Sequence, residues 1–162
     1  LVFTLESGTS ELSGAAIVTE RMELYADSSG PLVFRKIRSS GGGVALDGKE
    51  LNLVGPGEMF FQELVGTGES GPSPLQAFFI DFNSTGQVSF SSCSGSLGGA
   101  VKADDVKFLN SGRYEFENCT SSSFGGAVHA DRDVIIDTNG AGFLNFSNCT
   151  AKESGGAIHA RR

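Results

Sequence analysis

Apolar residues recur two apart and close on a phenylalanine: Leu32/Phe34, Met59/Phe61, Val88/Phe90, Tyr114/Phe116 and Leu144/Phe146. In the last three copies the residue between them is polar (Ser89, Glu115, Asn145). Alternation of period 2 predicts a half-buried strand ending at each Phe. Seven to nine residues after four of these Phe stands a glycine pair followed by a small and a β-branched residue: Gly41-Gly42-Gly43-Val44, Gly98-Gly99-Ala100-Val101, Gly125-Gly126-Ala127-Val128 and Gly155-Gly156-Ala157-Ile158. Gly14-Ala15-Ala16-Ile17 opens the series, and the copy after Phe61 has lost its glycines. The segment after the glycines (Val101-Lys102-Ala103, Val128-His129-Ala130) predicts a second short strand with its middle residue outward. A charged corner follows (Glu20-Arg21, Asp47 to Glu50, Asp104-Asp105, Asp131 to Asp133). A third alternating strand comes next (Met22/Leu24, Leu51/Leu53, Val106/Phe108, Val134/Ile136).

The five Phe are 27, 29, 26 and 30 residues apart, and a repeat of this length with a Gly/aromatic signature predicts a solenoid. Three short strands and three corners leave no room for the helix of a βαβ crossover. Strands this short must pair with their copies one repeat away. The expected fold is therefore all-β, a right-handed parallel β-helix of about six coils of 26–30 residues, counting a ragged one near Phe3, with a rise of about 4.8 Å per coil. In it the columns Phe34, Phe61, Phe90, Phe116 and Phe146 fill the interior by ring stacking. The pairs Gly41/Gly42, Gly98/Gly99, Gly125/Gly126 and Gly155/Gly156 serve corners that need positive φ or no Cβ.

Residues 1–162 are expected to form one solenoid domain, a segment of a longer solenoid, with an irregular coil at 61–83. There Gly66-Thr67-Gly68-Glu69-Ser70-Gly71-Pro72-Ser73-Pro74 replaces the glycine segment. Two prolines cannot donate to a ladder, so this stretch is expected to bulge outward as a loop, and Gly68, Glu69 and Ser70 become candidate binding residues. The net charge of −7 disfavours nucleic acid and acidic membrane surfaces as partners. No apolar run approaches the ~18 residues of a spanning helix, so direct membrane insertion of this segment is not expected.

The segments Phe116-Glu117-Asn118-Cys119 … Gly125-Gly126-Ala127-Val128 and Phe146-Ser147-Asn148-Cys149 … Gly155-Gly156-Ala157-Ile158 resemble the paired FxxN and GGA[ILV] motifs of the chlamydial polymorphic membrane proteins. The resemblance covers about residues 30–162 and is strongest over 84–162. One departure is that Cys93, Cys119 or Cys149 stands fourth where the family has Asn, with Asn one place earlier in the last two copies. Similar repeats occur in large algal and protist proteins. The resemblance implies an autotransporter passenger displayed at the outer membrane and working as an adhesin. An algal source would instead imply a eukaryotic compartment.

Cys93, Cys119 and Cys149 recur at 26 and 30 residues and should stack, either as free thiols filling ladder positions or with one pair bridged in an oxidising compartment. Lys102, His129 and His159 share one outward position in successive coils and are read as a solvated face and candidate binding residues. No metal site or cofactor is expected. Calcium at the stacked carboxylates Asp47, Glu50, Asp104, Asp105, Asp131 and Asp133 competes with local turn bonding. Asn83, Asn118, Asn145 and Asn148 begin glycosylation sequons.

The uniform repeat spends its residues on stacking, which points to a non-catalytic surface adhesin or scaffold contacting a protein or glycan on another cell or within a larger assembly. The alternatives are a carbohydrate-active lyase or hydrolase and a structural subunit of a eukaryotic algal assembly. Catalysis needs convergent carboxylates with a base, and only Lys102, Asp104, Asp105, His129, Asp131, Arg132 and Asp133 come near that. Outward positions vary too much for a flat ice-binding threonine face.

Overall fold

A computed structural model describes residues 4–8, 17–40, 44–67 and 71–161. Gly41, Gly42, Gly68, Glu69, Ser70, the Gly14 segment up to Ala16 and Phe3 lie outside the described residues. The chain is a parallel β-solenoid: every strand pair described is parallel. The ladder that carries the phenylalanines has six rungs, Thr4–Gly8, Leu32–Ser39, Glu58–Gln62, Gln87–Ser91, Arg113–Glu117 and Phe143–Ser147. Its register aligns Leu5, Phe34, Phe61, Phe90, Phe116 and Phe146, so five turns separate the first rung from the last.

Each regular coil passes through four ladders, one more than the alternation predicts. The additional one follows the phenylalanine ladder and runs through Arg38/Ser39, Val65–Gly66, Ser94–Leu97, Thr120–Phe124 and Thr150–Ala151. Its small hydroxyl residues carry no apolar alternation, which hides it in the sequence. Inward Ser121 is satisfied by donating to the Ser96 carbonyl at 2.6 Å, so a hydroxyl does here what an apolar side chain does elsewhere. The chain enters this ladder through Lys36, Glu63, Ser92, Asn118 and Asn148, all with φ of 51–55°. Asn adopts the left-handed region more readily than most residues. That is the physical use of the shifted Asn. The third ladder (Leu75–Gln76, Val101–Ala103, Val128–Ala130, Ile158–Ala160) and the fourth (Phe79–Ser84, Asp105–Leu109, Val134–Asp137) are joined by a corner at Asp104 and at Asp131 to Asp133. In the first two coils they are instead single strands, Ile17–Tyr25 and Leu46–Gly55, so Glu20-Arg21 and Asp47 to Glu50 are not the breaks expected of them.

Two aromatic columns fill the interior. Phe34, Phe61, Phe90, Phe116 and Phe146 stack with centroids 4.7–5.1 Å apart and planes within 12°. Phe82 and Phe108 on the fourth ladder stack at 4.8 Å and meet the first column edge-on, at 77–88°. Tyr114 is fully buried; its hydroxyl donates to the Leu109 carbonyl at 2.5 Å, and burial pushes its pKa up to about 12. Three residues after each Phe, the column Ile37, Leu64, Cys93, Cys119 and Cys149 turns into the core. The first two members are aliphatic, and the three cysteines are free thiols in the same apolar role. Each thiol bonds a carbonyl of the coil before it, Phe61, Phe90 or Phe116, at 3.4–3.9 Å. The neighbouring Cys119 thiol and burial push Cys149 up.

The glycines permit this closeness. Gly98, Gly125 and Gly155 have φ of 63–69°. A Cβ on Gly126 would sit inside contact distance of the Gly156 carbonyl oxygen and 2.5 Å from the Thr150 nitrogen, and one on Gly99 would meet Thr120 nitrogen at 2.6 Å. The irregular coil departs from expectation. Gly71, Pro72, Ser73 and Pro74 are buried in the coil wall, and Leu75–Gln76 pairs in register with Leu46-Asp47 before it and Val101-Lys102 after it. Pro74 is tolerated because of where its missing N–H group would point. In the regular coil the Ala100 and Val101 N–H groups both donate to the Ala127 carbonyl, at 2.9 and 3.0 Å. Pro74 stands where Ala100 stands, and Leu75 N–H alone serves the Ala100 carbonyl at 2.9 Å. The Pro74 carbonyl still accepts from Ala45 and Leu46 N–H.

Candidate functional site

The third ladder displays one outward column across the coils: Val18, Asp47, Gln76, Lys102, His129 and His159. Lys102, His129 and His159 are brought together as expected, but the solvated face is not. His129 is 0% exposed. Its ring stacks parallel to His159, with centroids 5.2 Å apart and planes 3° apart, and Phe124 tilts against both at 6.2 and 4.8 Å. An outward side chain is covered here because strand spacing puts its stacked copy directly upon it.

The two imidazoles have different partners because the coils differ where Phe124 answers to Ser154 and Asp131 to Arg161. Phe124 and Ser154 occupy the same place in successive coils. Ser154 Oγ lies 3.0 Å from His159 Nδ1, whereas Phe124 has no polar atom to offer, and His129 Nδ1 is buried with no partner. His129 Nε2 lies 3.3 Å from Asp131 Oδ1, which makes it the donor of a neutral ring. Burial pushes the His129 pKa below the ordinary value of 6.5; Asp131 pulls it up, and His159 and Arg161 add to the depression. Arg161 Nη1 also reaches Asp131 Oδ1, at 3.4 Å.

Along this column lies a groove of about 440 Å³, lined by Asp47, Gln76, Phe78, Lys102, Asp104 and Asp131 together with the small residues Gly48, Ala77 and Ala103. Phe78 is 52% exposed and occupies the corner held by Lys49 one coil earlier and Asp104 one coil later. Its backbone is fixed: its N–H donates to the Lys49 carbonyl, and its carbonyl accepts from both Asp104 and Asp105 N–H. The sequence reading missed Gln76 and Phe78. The available signal was an aromatic residue in a corner column that is otherwise charged.

The acidic corners are tied into lateral ion pairs. Arg132 bonds Asp105 at 2.5 Å and reaches Asp104 at 4.0 Å, and Asp131 is shared by Arg161 and His129. Among the described residues no group of three or more His, Cys, Asp or Glu is placed to hold a metal ion. Of the sequon asparagines, Asn118, Asn145 and Asn148 are exposed, while Asn83 accepts a bond from Asn110 at 2.8 Å. No protein-family model, curated protein or solved structure matches this chain.

Proposed function

We propose that this chain is a non-catalytic solenoid that makes protein or glycan contacts through its lateral faces, as a surface-displayed adhesin or a scaffold of a larger assembly. The observation that carries the reading is the groove along the third ladder, where side chains of successive coils line up on a backbone whose hydrogen bonds are consumed by stacking. Such a surface is rigid before it binds, which lowers the ordering cost of association. The rival reading, a polysaccharide lyase or hydrolase, requires carboxylates available to move protons. The carboxylates nearest the histidines are instead engaged by Arg132, Arg161 and His129. The resemblance to the chlamydial polymorphic membrane protein repeats supports display at the cell surface, at the outer membrane of a bacterium or in the equivalent role in an alga.

The test is adherence of the purified chain to intact cells and to extracellular matrix, before and after protease or periodate treatment of those surfaces, beside incubation with polygalacturonate. Adherence that one treatment removes, without turnover, is the expected result. Absence of adherence, or polysaccharide turnover lost in Asp131→Asn, overturns the reading.

A further inference from the structure

We propose that the groove of Asp47, Gln76, Phe78, Lys102, Asp104 and Asp131 binds an uncharged glycan, its sugar units laid across successive coils; this rests on the binding-solenoid reading above. The first support is charge. The lining holds three carboxylates and one ammonium, and Arg132 and Arg161 lie against Asp104 and Asp131 at 4.0 and 3.4 Å. With Asp105, which Arg132 bonds at 2.5 Å, four negative groups face three positive ones, and with His129 neutral the site keeps one unpaired negative charge. A polyanion gains nothing from it, and a single unpaired charge gives a polycation little.

The second support is the kind of group on offer. The groove lies on the face of a ladder whose backbone N–H and C=O groups are already paired between coils, so a peptide cannot add as a strand. What remains is side-chain chemistry: carboxylate oxygens that accept, the Lys102 ammonium that donates, and the Gln76 amide that does both. A polyhydroxyl ligand satisfies such a mixed set. The outward residues Asp47, Gln76 and Lys102 are one coil apart, a strand spacing of about 4.8 Å, which suits a ligand with repeated polar groups along its length. The third support is Phe78. Its ring is half exposed while its backbone is bonded to the coils on both sides. A fixed exposed ring is a platform for the C–H face of a sugar, because stacking there buries apolar surface without charge.

The experiment is a titration of the whole chain, followed by NMR and calorimetry, with cellohexaose, mannohexaose and the hexamer of N-acetylglucosamine as uncharged probes. Hexalysine and hexagalacturonate serve as charged ones. At least one uncharged hexamer is expected to bind with an affinity that does not change between low and high salt. Phe78→Ala should weaken it roughly tenfold and Gln76→Ala should weaken it less, while Phe143→Ala, an exposed ring on the first ladder, leaves it unchanged. The proposal is overturned if no uncharged hexamer binds, if only a charged probe binds and salt removes it, or if Phe143→Ala weakens binding as much as Phe78→Ala does. Folding of each variant is checked by its backbone spectrum, and Gln76→Ala keeps the site testable should Phe78→Ala unfold. Adherence that protease but not periodate removes, together with silent hexamers, would leave the binding solenoid standing and sink the glycan.

Discussion

The phenylalanine column inside the solenoid and the histidine pair outside it have nearly the same geometry and opposite chemistry. Phe90 and Phe116 stack at 4.9 Å with planes 1° apart, and His129 and His159 at 5.2 Å with planes 3° apart. Coil spacing imposes that contact on any two rings in one column, whichever face they lie on. Inside, the contact adds aromatic packing to apolar burial and leaves nothing unpaired. Outside, it buries an imidazole with one nitrogen unpartnered, an arrangement that costs free energy. Stacking is thus a property of the backbone, and the side chains determine whether it stabilises.

Removing the closeness should destroy both columns at once. Gly126→Val places a branched side chain against the Gly156 carbonyl and the Thr150 nitrogen and is expected to cost more than about 4 kcal/mol, whereas Ala127→Gly costs about 1 kcal/mol. Equal melting temperatures for the two variants would show the coils to be farther apart than described. Breaking only the interior column comes next. Phe116→Ala should cost about 3–5 kcal/mol in urea unfolding, and a loss near that of a surface change would mean the rings do not carry the core.

The outer pair is probed more gently by pH. Burial holds folded His129 below the ordinary 6.5, so the unfolded chain binds a proton that the folded chain refuses. The stability this group contributes is whole above pH 6.5 and is lost as pH falls through the folded value. Melting temperature should fall on that acid side in the native chain, and the part due to this site should vanish in His129→Phe; identical pH profiles would contradict the burial. The smallest effect is expected of Phe124→Ser, which gives His129 the hydroxyl that Ser154 gives His159. Stability should change by less than about 1.5 kcal/mol, the gained hydrogen bond offsetting lost ring contact. The Nδ1 nitrogen resonance should move toward that of His159, and an unmoved resonance would mean the hydroxyl does not reach.

The repeat was legible because it is written in residues with one structural use. Phe at 27, 29, 26 and 30 residues and glycine pairs at the corners determined a parallel solenoid, its interior columns and the register of Lys102, His129 and His159. Periodicity reports which residues share a column, since strand pairing is parallel and repeats are nearly equal in length. It does not report what lies over a column. Only the tertiary structure decided that His129 is covered by Phe124 and its own copy. It also decided that Pro72 and Pro74 stay in the wall, Pro74 because the neighbouring Leu75 N–H serves the Ala100 carbonyl, and that Ser- and Thr-rich segments form an additional ladder. Apart from the Phe124 ring, which stands five residues before His129 in the same coil, the deciding quantity is a contact between coils about 4.8 Å apart, made by residues some 25–30 positions apart in the chain and invisible to any local pattern.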